Sequence, residues 1–272
     1  MASLHHEGPL WLVGCGNMGG AMLRGWIAAG VDPALVTVID PVAADIPTGV
    51  TLLHAPPPDG AAPATLVLAV KPQLLDAVAP TLAPALGQET LVVSILAGVE
   101  VASLRRRFPV PRAVARVMPN LPVSIGKGVM ALLGDGLDDI ARRTADALMA
   151  PLGAVEWLTD EAQFDAVTAL SGSGPAFVFR FIDALAAAGT ALGIPADQAR
   201  RMAVATAEGA ALLAARSAES PAMLADRVAS PGGTTRAGLD VLDRDEAILD
   251  LVQRTLEAAV RRSAELSAAA RG

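Results

Sequence analysis

Five short apolar runs limit what this chain can fold into. They lie at Leu10–Val13 and at residues 35–39, 66–70, 91–96 and 113–117. Each is nearly unbroken Val, Ile, Leu and Ala, where a strand with one wet face would alternate apolar and polar residues. Unbroken runs mean strands buried on both faces. Segments of helical periodicity separate them, such as residues 18–29, closed by Gly30 in the place of a helix C-cap. This alternation is the rhythm of a doubly wound parallel sheet. Two further strands are expected at 129–133 and 155–158. The helix between them, at 138–149, starts at Asp138 as its N-cap.

After about Glu161 the strand signals stop. Helical stretches follow at 173–192, Ala196–Arg216, 222–229, 235–242 and 246–268, punctuated by Pro195, Pro221 and Pro231. Pro56-Pro57-Pro58 is expected as a short rigid loop. The helix at 173–192 is apolar nearly all round, with Phe177, Phe179 and Phe181 at its start, and needs cover on most sides. The few helices of this half cannot enclose it alone, so a second copy of the chain is expected to do so.

Composition narrows the field. The chain has 272 residues, 53% of them hydrophobic, which allows a sizeable core, but only 3% are aromatic and none is Tyr. Ala and Leu must therefore build most of that core. A net charge of -7 argues against nucleic-acid binding, and Arg105-Arg106-Arg107 is expected as a solvated helix end. The longest apolar region, 174–194, is interrupted by Arg180 and Asp183, which argues against a membrane span. The first residues lack the order of a secretory signal, so a cytoplasmic protein is expected. Cys15 is the single cysteine and rules out an intramolecular disulfide framework. The histidines are His5, His6 and His54, the first two expected in a mobile tail, and no metal site is expected.

Gly14-Cys15-Gly16-Asn17-Met18-Gly19 follows the first strand and opens the first helix. Gly14 allows the tight turn, Gly16 lets backbone approach a pyrophosphate, and Gly19 lets helix and strand pack closely. The helix start then offers N–H groups to the phosphates. In this context the spacing points to a dinucleotide, and residues 1–160 to a Rossmann domain. Alone, it fits a merely Gly-rich loop. Asp40 ends the second strand, where an acidic side chain accepts the adenosine ribose hydroxyls. No Lys or Arg lies between Asp40 and Pro47 to hold a 2′-phosphate, which tilts the cofactor from NADPH toward NADH. Ala69-Val70-Lys71-Pro72 ends another strand at the edge where ligands bind. Lys71 and Lys127 are the only lysines. Residues 94–98, with Ala97, are placed to floor the nicotinamide.

Ser230-Pro231-Gly232-Gly233-Thr234-Thr235 is a second anion motif, far along the chain. It offers consecutive N–H groups and three hydroxyls just before a helix, suited to a small carboxylate, though a capped turn has the same look. Beyond Lys127 there is no lysine to act as acid or base in alcohol oxidation. A hydride acceptor that needs little side-chain proton chemistry, such as a cyclic imine, fits better.

These residues resemble the pyrroline-5-carboxylate reductase family across almost the whole chain. The matching blocks are 13–19, 69–72, 94–99, Arg116-Val117-Met118-Pro119-Asn120, 165–176 and 230–235. The resemblance implies NAD(P)H-dependent reduction of 1-pyrroline-5-carboxylate to L-proline, the last step of proline biosynthesis. It also implies a helical domain over 161–272 that interlocks with a second subunit, and a site between the cofactor domain of one subunit and helical residues of either. Gly14, Cys15, Gly16, Asn17, Met18, Gly19, Ala69, Val70, Lys71, Pro72 and Ala97 would line the cofactor site. Ser230, Gly232, Gly233, Thr234 and Thr235 would line the substrate site, with Thr235 the catalytic residue beside the ring nitrogen. Glu161 stands where a residue often faces the substrate. The chain departs from the family's pattern at Leu121, where Thr is usual, at Phe177, where Tyr is usual, and around Pro56, where an Asn commonly touches the adenosine side. A related imine or β-hydroxyacid reductase, or a non-catalytic NAD(P)-binding regulator, are the alternatives; the missing lysine disfavours the β-hydroxyacid reading.

Overall fold

A computed structural model describes residues 8–57 and 62–271. His5, His6 and Pro58 lie outside the described residues. By their contacts the residues form two units, Met1–Ser173 together with Ala259–Gly272, and Gly174–Ala258.

The first unit runs β1 (Leu10–Val13), α1 (Asn17–Ala28), β2 (Val36–Ile39), β3 (Thr51–Leu53), β4 (Thr65–Leu68), α2 (Leu75–Leu82), β5 (Leu91–Ser94), α3 (Val101–Arg107), β6 (Ala113–Met118), β7 (Gly128–Asp135), α4 (Asp139–Met149), β8 (Gly153–Trp157) and α5 (Phe164–Val167). The strands form one sheet in the order β3-β2-β1-β4-β5-β6-β7-β8. All neighbours are parallel except β6 and β7. A crossover helix is needed to return a chain in parallel, and the β6–β7 connection is only a 3₁₀ stretch at Leu121–Ile125, so β7 reverses. α4 then supplies the crossover that makes β8 parallel to β7.

The interiors of β1, β2, β4, β5 and β6 are apolar because both faces are covered. Leu10 and Leu12 point into a core with Trp26 of α1 and Leu148 of α4. Trp11 and Val13 point the other way, into a core with Leu68, Leu82 of α2, and Leu104 of α3. Trp26 is fully buried and its indole N–H donates to the Leu148 carbonyl at 2.7 Å, tying α1 to α4. Asp138 caps α4 as expected, accepting from the Ala141 N–H at 2.8 Å, and Gly30 takes a positive φ of 99° just past α1.

Three features differ from the sequence reading. β3 is a three-residue, partly exposed edge strand, too short and too wet to leave a periodic signal. The apolar residues 69–70 and 95–96 lie beyond the ends of β4 and β5, in the loops at the carboxyl edge. Arg105 is not a solvated helix end: its guanidinium meets the Asp135 carboxylate at 2.5 Å and the carbonyls of Pro111 and Arg112 at 2.6 Å.

A five-residue π-helical turn, Thr168–Gly172, precedes the second unit, with the Ser173 N–H donating to the Thr168 carbonyl at 2.8 Å. Pro175 has no N–H to give the Ser171 carbonyl four residues back. That carbonyl instead accepts from the Asn120 side-chain amide at 2.9 Å, while Asn120 Oδ1 accepts from the Val129 N–H at 2.8 Å. Asn120 is thus a buried strut between the β6–β7 connection, the first residues of β7 and the π turn.

The second unit holds α6 (Gly174–Ala191), α7 (Ala196–Arg216), α8 (Pro221–Val228) and α9 (Thr234–Asp243); α10 (Ala247–Arg271) begins in it, and its last turns count with the first unit. α6 and α7 pack through small residues, with Gly189 facing Ala199. Among the described residues of this unit only Ala199 and Ala203 are buried, and none on α6 is. Phe179 and Phe181 are more than half exposed. A helical unit with two buried alanines has no core of its own, so the apolar faces need an outside surface. No helix among the described residues is long and apolar enough to cross a membrane.

Candidate active site

The strand order places a topological switch between β1 and β4, which leave the same edge on opposite sides of the sheet. Ligands of such sheets bind in the crevice outside the carboxyl ends of these strands. The Gly14–Gly19 loop follows β1, Asp40 follows β2, Ala69–Pro72 follows β4, and Ala97 follows β5. Residues scattered over 84 positions are brought to one edge.

The three glycines do different work. Gly14 has φ of 93°, and a Cβ there would lie 2.7 Å from the Ala69 carbonyl oxygen, so the β4 loop packs directly on the turn. A Cβ on Gly19 would lie 2.3 Å from the Gly14 carbonyl oxygen. A Cβ on Gly16 would meet nothing within 4 Å: this glycine borders open space at the start of α1. No side chain caps α1 and no acidic residue sits in its first turn. Its unpaired N–H groups and positive dipole end face that space, which fits a pyrophosphate. Asn17 is exposed and Met18 half-buried beside it.

The Asp40 carboxylate is heavily committed. Oδ2 accepts from the Cys15 N–H at 2.7 Å, and Oδ1 from the N–H groups of Val42 and Ala43 at 2.8 and 2.9 Å. Burial alone would raise its pKa, but those three donors, with His54 nearby, hold it below the usual carboxylate value. Asp40 is therefore ionised at neutral pH, braces the Gly-rich loop, and keeps one lone-pair direction on Oδ2 for a ligand. Burial, and then the Asp40 charge, push the Cys15 thiol pKa up, so it stays protonated and serves as the small side chain expected. Lys71 and Ala97 are exposed; Val70 and Pro72 are half-buried.

Glu161 lies in a cleft of about 430 Å³ with Glu100, Arg116, Phe164, Asp165 and Ser267. Its carboxylate pairs with Arg116 at 2.5 Å and faces the Val101 N–H at 3.3 Å. Arg116 is almost fully buried and stacks 3.8 Å from the Phe164 ring centroid. This arrangement ties the start of α3 to α5 through β6. Sequence reading had not paired Arg116 with Glu161, because 45 positions separate them.

The second motif forms the turn between α8 and α9. Gly232 has φ of 70°, a conformation that favours glycine, and open space beyond it. Gly233 is the N-cap of α9 and makes no side-chain cap. A Cβ on Gly233 would lie 2.5 Å from Ser230 Oγ and 3.1 Å from the Ser230 carbonyl oxygen, so a side chain there would displace the Ser230 hydroxyl. Thr234 and Thr235 are the first residues of α9, and their N–H groups have no acceptor within the helix. Ser230, Gly232 and Thr234 are exposed, and Thr235 is half-buried. Arg236, which sequence reading passed over, reaches back to Asp226 of α8 at 3.2 Å and clamps the two sides of the turn. In the same unit Phe177, Phe181, Val241, Ile248, Leu251 and Val252 line an apolar groove of about 530 Å³. No group of His, Cys, Asp and Glu suited to a metal ion occurs among the described residues.

Comparison with known proteins places these features in a family. Residues 161–266 match the family model described as pyrroline-5-carboxylate reductase dimerisation, and residues 10–98 match one described as NADP oxidoreductase, coenzyme F420-dependent. The chain is 40% identical to pyrroline-5-carboxylate reductase of Pseudomonas aeruginosa over 94% of this chain and 95% of that protein. It is 37% identical to the same enzyme of Pisum sativum over 95% and 96%. It superposes on a pyrroline-5-carboxylate reductase from Coxiella burnetii with TM-score 0.90 at 31% identity, covering 96% of this chain and 99% of that one. It also superposes on pyrroline carboxylate reductase of Plasmodium falciparum, solved with NADP bound, with TM-score 0.82 at 25% identity over 96% and 98%. With a relative this similar along nearly its whole length, the chain belongs to the pyrroline-5-carboxylate reductase family.

Proposed function

We propose that this protein reduces 1-pyrroline-5-carboxylate to L-proline with a nicotinamide cofactor, as a self-associating enzyme of the cytoplasm. The functional division is residues 1–160 for the dinucleotide and 161–272 for substrate and self-association; the dimerisation match beginning at 161 supports it, although the contact units cut across it. A single, protonated thiol suits a reducing compartment.

Gly14–Gly19, Ala69–Pro72 and Ala97 hold the cofactor, with the pyrophosphate over Gly16. When bound, the reduced nicotinamide supplies a hydride to the C=N carbon. The N–H groups and hydroxyls of Ser230, Gly232, Gly233, Thr234 and Thr235 hold the substrate carboxylate and fix the ring. Thr235 hydrogen-bonds near the ring nitrogen, which takes up one proton from solvent, before or as hydride addition to carbon turns the C=N bond into C–N. Glu161, bound to Arg116, acts through the framework of the cleft. Catalysis on this reading is positioning and electrostatics. Asp40, ionised and beside the ribose position, favours NADH over NADPH. The relatives' descriptions mention NADP, so we expect NADH to be used at least comparably and not exclusively.

The observation that carries the substrate half is the bare start of α9: no side-chain cap, no acidic residue in the first turn, and two hydroxyls. Thr235→Ala should lower kcat/KM for pyrroline-5-carboxylate by roughly 10–100-fold, the size of one hydrogen bond to a charged or reacting group. Cofactor affinity should stay within a few-fold. Wild-type kcat/KM in that variant would refute the assignment.

A further inference from the structure

The β2–β3 connection contains no Lys or Arg over residues 41–50. The Asp40 carboxylate is largely occupied by backbone donors. What remains at the adenosine-ribose end of the crevice is His54, just past β3, the neighbour of β2 in the sheet. Its Nδ1 lies 3.2 Å from the Asp40 carbonyl oxygen, the side chain is exposed, and Nε2 has no partner among the described residues. Pro56, two residues on, restricts Ala55 to extended backbone and stiffens the segment that carries the ring.

We propose that His54 is a specificity-determining residue that reads the 2′ position of the adenosine ribose. This rests on the dinucleotide reading of the Gly14–Gly19 loop. With Nδ1–H donating to the Asp40 carbonyl, neutral His54 offers Nε2 as an acceptor for a 2′-hydroxyl. Protonated, it offers Nε2–H and a positive charge to a 2′-phosphate, offsetting the repulsion from Asp40. The charged group beside it is Asp40 at the end of β2, whose carboxylate feels the His54 ring. One residue then lets the enzyme take NADH at higher pH and gain NADPH as pH falls.

The test uses the adenosine half of each cofactor, so that it reads binding and not turnover. Adenosine 2′,5′-bisphosphate and 5′-AMP are titrated calorimetrically into the wild type, His54→Gln and His54→Arg at about pH 6 and about pH 8, either side of the usual imidazole pKa. The wild-type preference for the bisphosphate should rise about three- to tenfold on acidification beyond any rise in His54→Gln, the size of one charge-assisted contact at an exposed site. Titration of the phosphate itself is common to all three proteins. His54→Arg should keep the preference high at both pH values. An identical pH response in the wild type and His54→Gln overturns the proposal and leaves the dinucleotide site standing. Failure of both nucleotides to bind at either pH overturns the dinucleotide reading as well.

Discussion

Gly16 and Gly19 are three residues apart in one loop, yet alanine at each should fail in opposite ways. A Cβ on Gly16 meets nothing within 4 Å, and its φ of -70° suits any residue. Alanine there is a poorer N-cap than glycine but restricts the unfolded chain, effects of about 0.5–1 kcal/mol that oppose each other. The melting temperature of Gly16→Ala should therefore stay within about 3 °C of wild type. The methyl group occupies the space the pyrophosphate must enter. Loss of one charge-assisted hydrogen bond to phosphate costs about 1.5–3 kcal/mol, so the dissociation constants for NADH and NADPH should rise about 10- to 100-fold. A Cβ on Gly19 would stand 2.3 Å from the Gly14 carbonyl oxygen and 3.1 Å from the Ala69 side chain. Backbone must move to admit it, at an overpacking cost of about 1–3 kcal/mol, or a fall of roughly 3–10 °C. Thermal melts and calorimetric cofactor titrations separate the cases. A stable Gly16→Ala that binds both cofactors with wild-type affinity would refute the placement of the pyrophosphate.

Three further outcomes follow from the same geometry. Asn120→Ala leaves the Ser171 carbonyl and the Val129 N–H, two part-buried groups, without their partner, a loss of about 1–3 kcal/mol together, and should lower the melting temperature by roughly 2–10 °C; an unchanged melt would show that the strut is dispensable. Because the Asp40 pKa is lowered on folding, its contribution to stability is full above its unfolded value of about 4 and is lost as pH falls through its folded value. The gap in stability between wild type and Asp40→Asn should therefore be constant near neutrality and close below about pH 4; a gap that instead closes on raising the pH would contradict the assignment. Phe181→Glu places a charge on the uncovered face of α6 and should cause dissociation or insolubility, since an unpaired buried charge costs several kcal/mol. A wild type that sediments as a well-folded monomer at micromolar concentration would contradict the self-association.

The parts of the fold legible in the sequence are those where one physical need fills a whole segment. Strands buried on both faces must be apolar throughout, and β1, β2, β4, β5 and β6 were visible for that reason, whereas β7 and β8 were read from shorter apolar stretches and are partly exposed. β3 is short and half-wet, and carried no such mark. The reversal at β7 follows from the absence of a crossover helix between β6 and β7, a matter of connection length and not of residue type. Gly14, Gly16 and Gly19 were readable from their spacing between a strand and a helix, but their separate constraints were not: Gly14 is held by Ala69 of another loop, Gly19 by Gly14, and Gly16 borders open space. Arg116 with Glu161 and Asn120 with Ser171 were not, since tertiary packing alone brings them together. Gly233 shows the limit of reading a glycine by motif. The motif marks it as part of an anion cradle, but a side chain there would also displace the Ser230 hydroxyl, so a substitution at Gly233 alters the turn together with any ligand contact.

The central claim is that the two anion cradles serve one reaction. The direct measurement is incubation of the purified wild type with 1-pyrroline-5-carboxylate and NADH or NADPH, following loss of absorbance by the reduced nicotinamide and quantifying proline by amino-acid analysis. The account predicts proline formed in step with cofactor oxidised, with NADH at least comparable to NADPH near neutral pH. Tight cofactor binding with no proline formed from either cofactor would contradict it, and would leave a protein that holds a dinucleotide without reducing this imine.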